Sequence, residues 1–250
     1  KDNVPLKPKH YLPVSIKGVK ENDFAMILGY PGRTNRWMPA GGIEQNVKFA
    51  YPAWVEGAKT GMDVMKKYMD KDATVRLDYA SKYASTANYW KNRQGMIDAL
   101  TKAGTVDAKA EQEDKFYEWA CKPANKDKYE IVIPTINDYY RETNLKARHD
   151  NYLMQLLRTS SYATGPANLG NALIAYFNEN DAKKAEMLPK INAMIENIYG
   201  EFYEPLEKDI LIAQLNLYAS KASEYGLATQ IAAMKAANNG DFTSDVTKGA

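Results

Sequence analysis

The sequence predicts a mainly α protein, a multi-helix domain preceded by a small β segment. From about Ile43 onward, apolar side chains recur every three or four residues, which is the period of amphipathic helices. The start of the chain differs, because several prolines keep it extended and two short apolar runs are typical of strands. We therefore divide the chain into a β segment, residues 1–42, and a helical domain, residues 43–250.

The β segment contains two strand candidates. They run from Leu12 to Ile16 and from Phe24 to Leu28, with a polar turn from Gly18 to Asn22 between them. Two strands alone make a marginal sheet in water, so they need partners. We expect this segment to be the end of a β-domain whose other strands lie outside the chain.

The first helices are predicted by two apolar stripes. Pro52 is expected to bend the first helix or to mark its first turn, and Gly104 to end the second. The stripes consist of Val47, Ala50, Trp54, Ala58, Met62, Met65 and Met69, and then of Val75, Tyr79, Tyr83, Ala87, Trp90 and Ile97.

The remaining helices bring the expected total to seven or eight. A shorter helix should be capped by Asp107 and stop before Pro123, and a break is expected at Thr164-Gly165-Pro166. The polar tail, residues 241–250, should fray. The other helical stretches are predicted at 131–157, with Pro134 near its start, and at 168–177, 181–198, 206–218 and 224–237.

Composition narrows the class of protein. The 33 basic and 31 acidic residues leave a net charge of +2 and are scattered, which argues against a nucleic-acid partner. No apolar run approaches the roughly 20 residues of a membrane span. The single cysteine, Cys121, rules out an internal disulfide and is expected to be a packed, inert thiol rather than a reactive one. The chain starts without a signal peptide, so we expect Lys1 to follow a processing or excision boundary.

A catalytic set is not evident. The histidines are His10, in an extended Pro- and Lys-rich segment, and His149, beside Lys146 and Arg148 on a helix. A serine triad needs a histidine near both partners, and no serine lies in a nucleophile motif. Ser160 and Ser161 are expected to be a helix-end or turn pair. We predict no catalytic residue, no metal site and no cofactor, since metal-ligand and phosphate-loop patterns are missing too.

One helix face suggests a site. Ser81, Ser85, Asn88 and Asn92 lie opposite the aromatic stripe at helical spacing, where Lys and Glu are usual. Such short neutral side chains could line a cavity for a polar or cationic group. An inter-helix hydrogen-bond network, or a merely polar surface, is the more common explanation of such a row and is favoured over a site. From the residues alone these alternatives stay open.

A more specific string lies at residues 29–37, Gly-Tyr-Pro-Gly-Arg-Thr-Asn-Arg-Trp. Physically it is a tight turn after a buried strand, in which Pro31 fixes φ and Gly32 is free to take a positive φ. Arg33 and Arg36 could reach a carboxylate or phosphate, although turn arginines more often bond nearby carbonyls or solvent.

As a string, this block resembles the bacterial serine dipeptidyl-peptidases of types 7 and 11. The resemblance runs in register through most of the chain and is weakest in the last ten or so residues. Its other landmarks are Lys1-Asp2-Asn3-Val4-Pro5, Lys7-Pro8-Lys9-His10, Leu12-Pro13-Val14-Ser15, Gly18-Val19-Lys20 and Ala87-Asn88-Tyr89-Trp90-Lys91.

The resemblance implies a fold and an activity. In that family a chymotrypsin-like double β-barrel carries a Ser-His-Asp triad, and a helical cap inserted in it helps to release dipeptides from free amino termini. Residues 1–42 would then be the end of the first barrel and the rest much of the cap. The triad would lie outside residues 1–250, so the piece should be inert alone. Asn88 matches the cap asparagine that holds the substrate's α-amino group.

The resemblance also implies partners and a location. These are the amino terminus of a peptide substrate and the missing barrel parts of the same polypeptide, in the periplasm or at the cell surface. A homodimer is an open alternative. The rival hypothesis is a non-enzymatic helical module whose tyrosine-rich grooves bind a peptide or a protein.

Overall fold

The chain divides into two compact units, Lys1–Trp37 and Met38–Ala250. The structure is a computed structural model, and it describes residues 4–26, 28–30, 32, 34–197, 203–243 and 246.

The first unit contains no helix or strand among its described residues. The polar turn is present: the Lys20 backbone N–H donates to Asp23 Oδ2 at 2.8 Å, and Asn22 adopts φ 71°. The predicted strands are not found, and Ile27 lies outside the described residues. The physical reason is that a strand needs a neighbouring strand for its backbone hydrogen bonds. Leu12, Val14 and Ile16 are instead 82%, 87% and 98% exposed.

The second unit begins with a continuous helical run. Helix α1 (Ala40–Gln45) leads through a π-helical segment (Asn46–Ala50) into α2 (Tyr51–Met69). The helical period thus starts a few residues earlier than about Ile43. Pro52 lies in the first turn of α2, where its missing N–H costs no helical hydrogen bond. This is one of the two roles that the sequence predicted for it.

Helix α3 (Ala73–Lys102) is the longest, with 30 residues. Asp72 begins it, because its carboxylate accepts from the backbone N–H groups of Thr74 at 2.7 Å and Val75 at 3.2 Å. Gly104, at φ 58°, follows its end and precedes α4 (Thr105–Ala120). The prediction that Asp107 caps this helix is wrong, because Asp107 lies in the first turn of α4 and Gly104 is the N-cap residue.

We predict that Asp72→Ala lowers the free energy of unfolding by about 1 kcal/mol, because two N–H groups at the start of α3 lose their acceptor. Asp72→Asn should retain most of the stability, since its amide oxygen can still accept. Chemical denaturation of both variants measures the difference. Equal stability of Asp72→Ala and the unsubstituted protein would contradict the capping role.

The expected helix over 131–157 is two helices. They follow the short α5 (Lys126–Tyr129) and are α6 (Val132–Glu142) and α7 (Asn144–Thr159), divided at Thr143. The Thr143 hydroxyl donates to the Tyr139 carbonyl at 2.7 Å and accepts from Gln45 Nε2 at 3.0 Å. A threonine that bonds back to the preceding turn competes with the helical ladder, which is consistent with a break there. Pro134 lies in the first turn of α6, as expected.

Helix α8 (Ser161–Phe177) runs straight through the expected break. Pro166 lies within it, and the chain turns instead at Ser160, which ends α7 and precedes α8. The break at Thr164-Gly165-Pro166 is therefore wrong, and the helix-end role of Ser160 and Ser161 is correct. Pro166 lies in the second turn of α8, where it costs the helix one backbone hydrogen bond without ending it. The Thr164 hydroxyl also donates to the Ser160 carbonyl at 2.8 Å.

Three helices complete the described part of the unit. They are α9 (Asp181–Asn197), α10 (Glu204–Lys221) and α11 (Thr229–Ala237), so the last helix starts later than residue 224. Residue 198, the last of the predicted 181–198 helix, lies outside the described residues. The tail is not wholly frayed: Phe242 is 1% exposed and packs in the first apolar cluster, where burial of its large aromatic ring is favourable. Residues 244, 245 and 247–250 lie outside the described part.

Helices α2 and α10 run through the centre of the core. One apolar cluster joins them to α7 and Phe242, through Ala53, Tyr152, Leu156, Leu215, Tyr218, Ala219 and Ala222. A second joins them to α3, through Met62, Met65, Val75, Tyr79, Leu206 and Ile210. The second cluster contains members of both stripes that the sequence predicted. It fixes which face of α3 is buried and hence which face is open.

Candidate functional site

The open face of α3 carries the predicted polar row. Ser81, Ser85, Asn88 and Asn92 are all exposed. None of the four side chains forms a hydrogen bond to another residue that the structure describes, so an inter-helix hydrogen-bond network does not explain them. Their donors and acceptors are free for a ligand or for solvent. The row is an open face and not the wall of an enclosed cavity.

The residues beside Asn88 anchor it to the core and to α2. Ala87 and Trp90 are half-buried against the second apolar cluster. The Tyr89 ring lies 6.2 Å from the Trp54 ring, and the Arg93 guanidinium lies 4.5 Å from the centre of the Tyr51 ring. The contacts of Tyr89 and Arg93 with α2, just after Asn88, hold this stretch of α3. The asparagine is therefore presented on a helix that is packed against the core.

Trp90 adds an unsatisfied polar group. Its indole Nε1 is buried and has no hydrogen-bond partner among the described residues. Buried indole N–H groups usually find an acceptor. This orphan donor lies two residues from Asn88 on the same helix.

A buried carboxylate ties the first half of α3 to two other helices. Glu207 of α10 is fully buried, and its Oε1 accepts from Lys82 Nζ at 2.7 Å and from the Tyr79 hydroxyl at 3.0 Å. From α8, the Ser161 hydroxyl donates to Oε1 at 2.9 Å, and the Ser161 backbone N–H donates to Oε2 at 2.6 Å. We call Glu207, Lys82, Tyr79 and Ser161 the Glu207 cluster.

The Glu207 cluster satisfies groups that would otherwise be unpaired. Ser160 forms no side-chain cap at the start of α8, and the Glu207 carboxylate takes that place from another helix. The Tyr79 hydroxyl in turn accepts from the Tyr203 backbone N–H at 3.0 Å. Burial, followed by the nearby Glu207 charge, raises the pKa of Tyr79. Tyr79 is therefore a hydrogen-bond donor at neutral pH.

Sequence reasoning missed this cluster. Lys82 and Glu207 are 125 positions apart, so no local pattern connects them. The available signal was a glutamate between Leu206 and Ile210, on an otherwise apolar helix face, and a lysine beside the aromatic stripe of α3. A charge in the middle of an apolar stripe usually has a partner.

His149 is held by hydrogen bonds that connect helices, as expected of a structural residue. Its Nε2 lies 2.7 Å from the Tyr218 hydroxyl and its Nδ1 lies 3.0 Å from Asp150 Oδ1. Because the Tyr218 oxygen accepts from the Ala228 backbone N–H at 2.9 Å, its proton is directed to His149 Nε2. Burial raises the pKa of Tyr218. The histidine thus joins α7 to α10 and to the chain before α11, with no serine nucleophile among its partners.

The other candidates are not assembled into a site. His10 is exposed in the first unit, and Cys121 is half-buried at the end of α4, where a hydrogen bond with its thiol raises the pKa of Tyr117. Pro31 and Arg33 of the 29–37 block lie outside the described residues, and Arg36 is exposed. Across the described ranges, no three His, Cys, Asp or Glu side chains are grouped to hold a metal ion. No helix in those ranges is long and apolar enough to cross a membrane.

The chain belongs to the peptidase S46 family. The family model matches residues 1–248. The chain is 49% identical over 242 residues to dipeptidyl-peptidase 7 of Capnocytophaga gingivalis, which is 96% of this chain and 34% of that protein. It is 31% identical over 226 residues to an Asp/Glu-specific dipeptidyl-peptidase of Flavobacterium psychrophilum, which is 89% of this chain and 31% of that protein.

A solved structure has the same fold. The crystal structure of Porphyromonas endodontalis DPP11 in complex with the dipeptide Arg-Glu matches with a TM-score of 0.70 at 25% identity, over 99% of this chain and 35% of that chain. The resemblance drawn from the sequence is thus confirmed. This chain spans about a third of the length of the relatives that it matches.

Proposed function

We propose that this chain is the substrate-capping part of a serine exopeptidase that releases dipeptides from free amino termini. Membership of the S46 family and the 49% identical dipeptidyl-peptidase 7 support the reaction. The dipeptide in the matching DPP11 structure supports a peptide ligand. The proposed cap is the helical part, residues 43–250. Residues 1–42 would complete a chymotrypsin-like barrel, in which the exposed Leu12, Val14 and Ile16 would face a sheet interior.

The proposal rests on the Asn88 amide, which is exposed on α3 and forms no hydrogen bond to any residue that the structure describes. We propose that its oxygen accepts a hydrogen bond from the substrate's α-ammonium group. A neutral amide can do this without a negative charge that would need pairing when the site is empty. The Asn88 side chain is exposed and has no hydrogen-bond partner among the described residues, so its amide oxygen is available to accept from an ammonium group.

Holding the amino terminus would set the length of the product. Two extended residues span about 7 Å, so a nucleophile at that distance beyond the ammonium contact would meet the second peptide bond. Such positioning is itself catalytic, because the substrate is held with its second peptide bond at the nucleophile and does not have to reach that alignment by chance. The nucleophile, its base and the groups that select substrate side chains would come from the rest of the polypeptide, in the periplasm or at the cell surface. This chain alone would be inert, and a homodimer remains open.

We predict that Asn88→Ala lowers kcat/KM on dipeptidyl substrates about 10- to 100-fold in the full-length enzyme, chiefly by raising KM. The estimate is the roughly 1.5–3 kcal/mol that a hydrogen bond to a charged group contributes. The measurement is steady-state cleavage of a fluorogenic dipeptidyl amide with a free amino terminus.

Two controls make this test specific. Asn192→Ala removes an exposed asparagine from the middle of α9 and should leave kcat/KM unchanged. An N-acetylated substrate should be cleaved poorly by the unsubstituted enzyme. An unchanged kcat/KM in Asn88→Ala removes Asn88 from the site, and efficient cleavage of the acetylated substrate refutes the exopeptidase proposal.

The non-enzymatic binding module is tested by the same preparation. If the full-length protein shows no peptidase activity on free amino termini, the rival explanation is favoured. A peptide that binds this chain alone, measured by calorimetry, would then be expected.

A further inference from the structure

Two members of the Glu207 cluster, Tyr79 and Lys82, lie on α3, the same helix as Asn88. Lys82 precedes Asn88 by six residues, a rise of about 9 Å along α3. Tyr79 belongs to the same cluster, one turn earlier. The directional hydrogen bonds of Glu207 therefore act on α3 close to the proposed ammonium contact.

Apolar packing alone fixes the rotation of α3 less sharply than the hydrogen bonds to Glu207 do. The contacts of Val75 and Tyr79 with α2 and α10 are largely non-directional, and a helix can rotate slightly while it keeps them. A rotation would lengthen or bend the hydrogen bonds from Tyr79 and Lys82 to one buried carboxylate, and the short, stiff Tyr79 side chain can compensate least. The carboxylate is itself held by both groups of Ser161 at the start of α8.

The burial of the carboxylate makes this restraint strong. Glu207 is 0% exposed, whereas the Lys82 side chain is 31% exposed. Water therefore cannot replace the donors of Glu207, so a rotated α3 would leave a buried charge incompletely paired. Lys82 also lies 3.3 Å from the Ser161 hydroxyl, which closes the cluster.

We propose that Glu207 is a positioning residue for the substrate's amino terminus, acting on Asn88 through Tyr79 and Lys82 by fixing the rotation and axial position of α3. This inference rests on the proposed function of Asn88. Glu207 does not touch the substrate. A rotation of about 10–15° would move a side chain on the outside of a helix by more than 1 Å, which is enough to weaken a positioned contact.

The test is a double-mutant cycle between Glu207→Gln and Asn88→Ala in the full-length enzyme. Glutamine keeps the shape of Glu207 and removes its charge. We expect Glu207→Gln to lower kcat/KM about 10-fold, through KM, on a free dipeptidyl amide. In the Asn88→Ala background the same change should lower kcat/KM less than 2-fold, because the contact that it positions is already lost.

A purely structural role predicts a different pattern. It would lower kcat by the same factor in both backgrounds, through a smaller folded fraction, and leave KM unchanged. That additive result, or an unchanged kcat/KM in Glu207→Gln alone, overturns the inference while Asn88→Ala still supports the proposed function. An Asn88→Ala variant of normal activity overturns both.

A second variant guards against misfolding. Tyr79→Phe keeps the buried ring and the Lys82–Glu207 ion pair, removes only the hydroxyl that donates to Glu207, and should fold even if Glu207→Gln does not. It should show the same non-additivity with Asn88→Ala. The matched control is Glu204→Gln, which lies three residues earlier on α10 with its carboxylate 57% exposed, and it should leave KM unchanged. Additivity of Tyr79→Phe with Asn88→Ala contradicts the inference.

Discussion

Replacing Glu207 with alanine is expected to lower the free energy of unfolding by about 4 kcal/mol. Removal of one partner of a buried ion pair typically costs 3–5 kcal/mol, because the remaining groups lose their partner where water cannot reach them. Here the Ser161 N–H and the Tyr79 hydroxyl lose the oxygen atoms that accept from them. The Lys82 side chain loses an ion pair of 2.7 Å.

A glutamate on the same helix serves as the control. Glu204 pairs with Lys208 at 2.6 Å, but its side chain is 57% exposed. Glu204→Ala should change the stability by less than about 1 kcal/mol, because surface ion pairs contribute little. Urea denaturation followed by circular dichroism measures both variants. Similar losses in the two variants would show that the burial of Glu207 does not determine its contribution.

The second large effect is expected at Gly57, in the middle of α2. A Cβ atom added there would lie 2.5 Å from Gln155 Cγ and 2.6 Å from Gln155 Cβ, on α7. The Cβ of Gln155 cannot move without its backbone, and Gln155 is 3% exposed. We therefore expect Gly57→Ala to lower the free energy of unfolding by about 3 kcal/mol, at the upper end of typical overpacking losses.

Gly95 provides the matched control for that substitution. It also lies inside a helix, α3, but nothing is within 4 Å of a Cβ added there. Gly95→Ala should raise the stability by roughly 0.5–1 kcal/mol, because alanine restricts the unfolded chain and favours the helix. The two glycine-to-alanine changes should thus have opposite signs in the same denaturation experiment. A stabilised Gly57→Ala variant would contradict the close approach of α2 and α7.

The Gly57 contact also supports the fold around it. The Gly57 carbonyl accepts from Gln214 Nε2 of α10 at 2.8 Å, a buried hydrogen bond. A side chain at residue 57 would push α7 away from the centre of the core. Since α2 also packs against α3, a shift of α2 would disturb the helix that presents Asn88.

The helices could be predicted best where apolar residues form long stripes. The stripes of α2 and α3 place Met62, Met65, Val75 and Tyr79 in the core, as their spacing indicated. Single punctuating residues were less reliable. Asp107 does not cap α4, and Pro166 does not end a helix, because the preceding turn and tertiary contacts decide where a helix stops.

The polar row of α3 could also be predicted from the sequence, but whether it binds a ligand could not. Helical spacing alone places Ser81, Ser85, Asn88 and Asn92 opposite the buried stripe, and the structure leaves that face open. Whether residues 12–16 and 24–28 form strands could not be predicted from their own spacing. A strand forms only when another strand supplies half of its hydrogen bonds, whereas a helix supplies its own.

The sequence by itself determined the helical class, the buried stripes and the family, since these depend on local period and on strings of residues. Only the tertiary structure decided that Glu207 meets Lys82 and Ser161, that His149 is bonded to Tyr218, and that Phe242 enters the core. Each of these contacts joins residues from different helices or from the tail. A local period states which side of a helix is apolar, but not which helix will cover it. That choice depends on the mutual fit of all the helices, and it also places a charged group such as Glu207 beside the helix that carries Asn88.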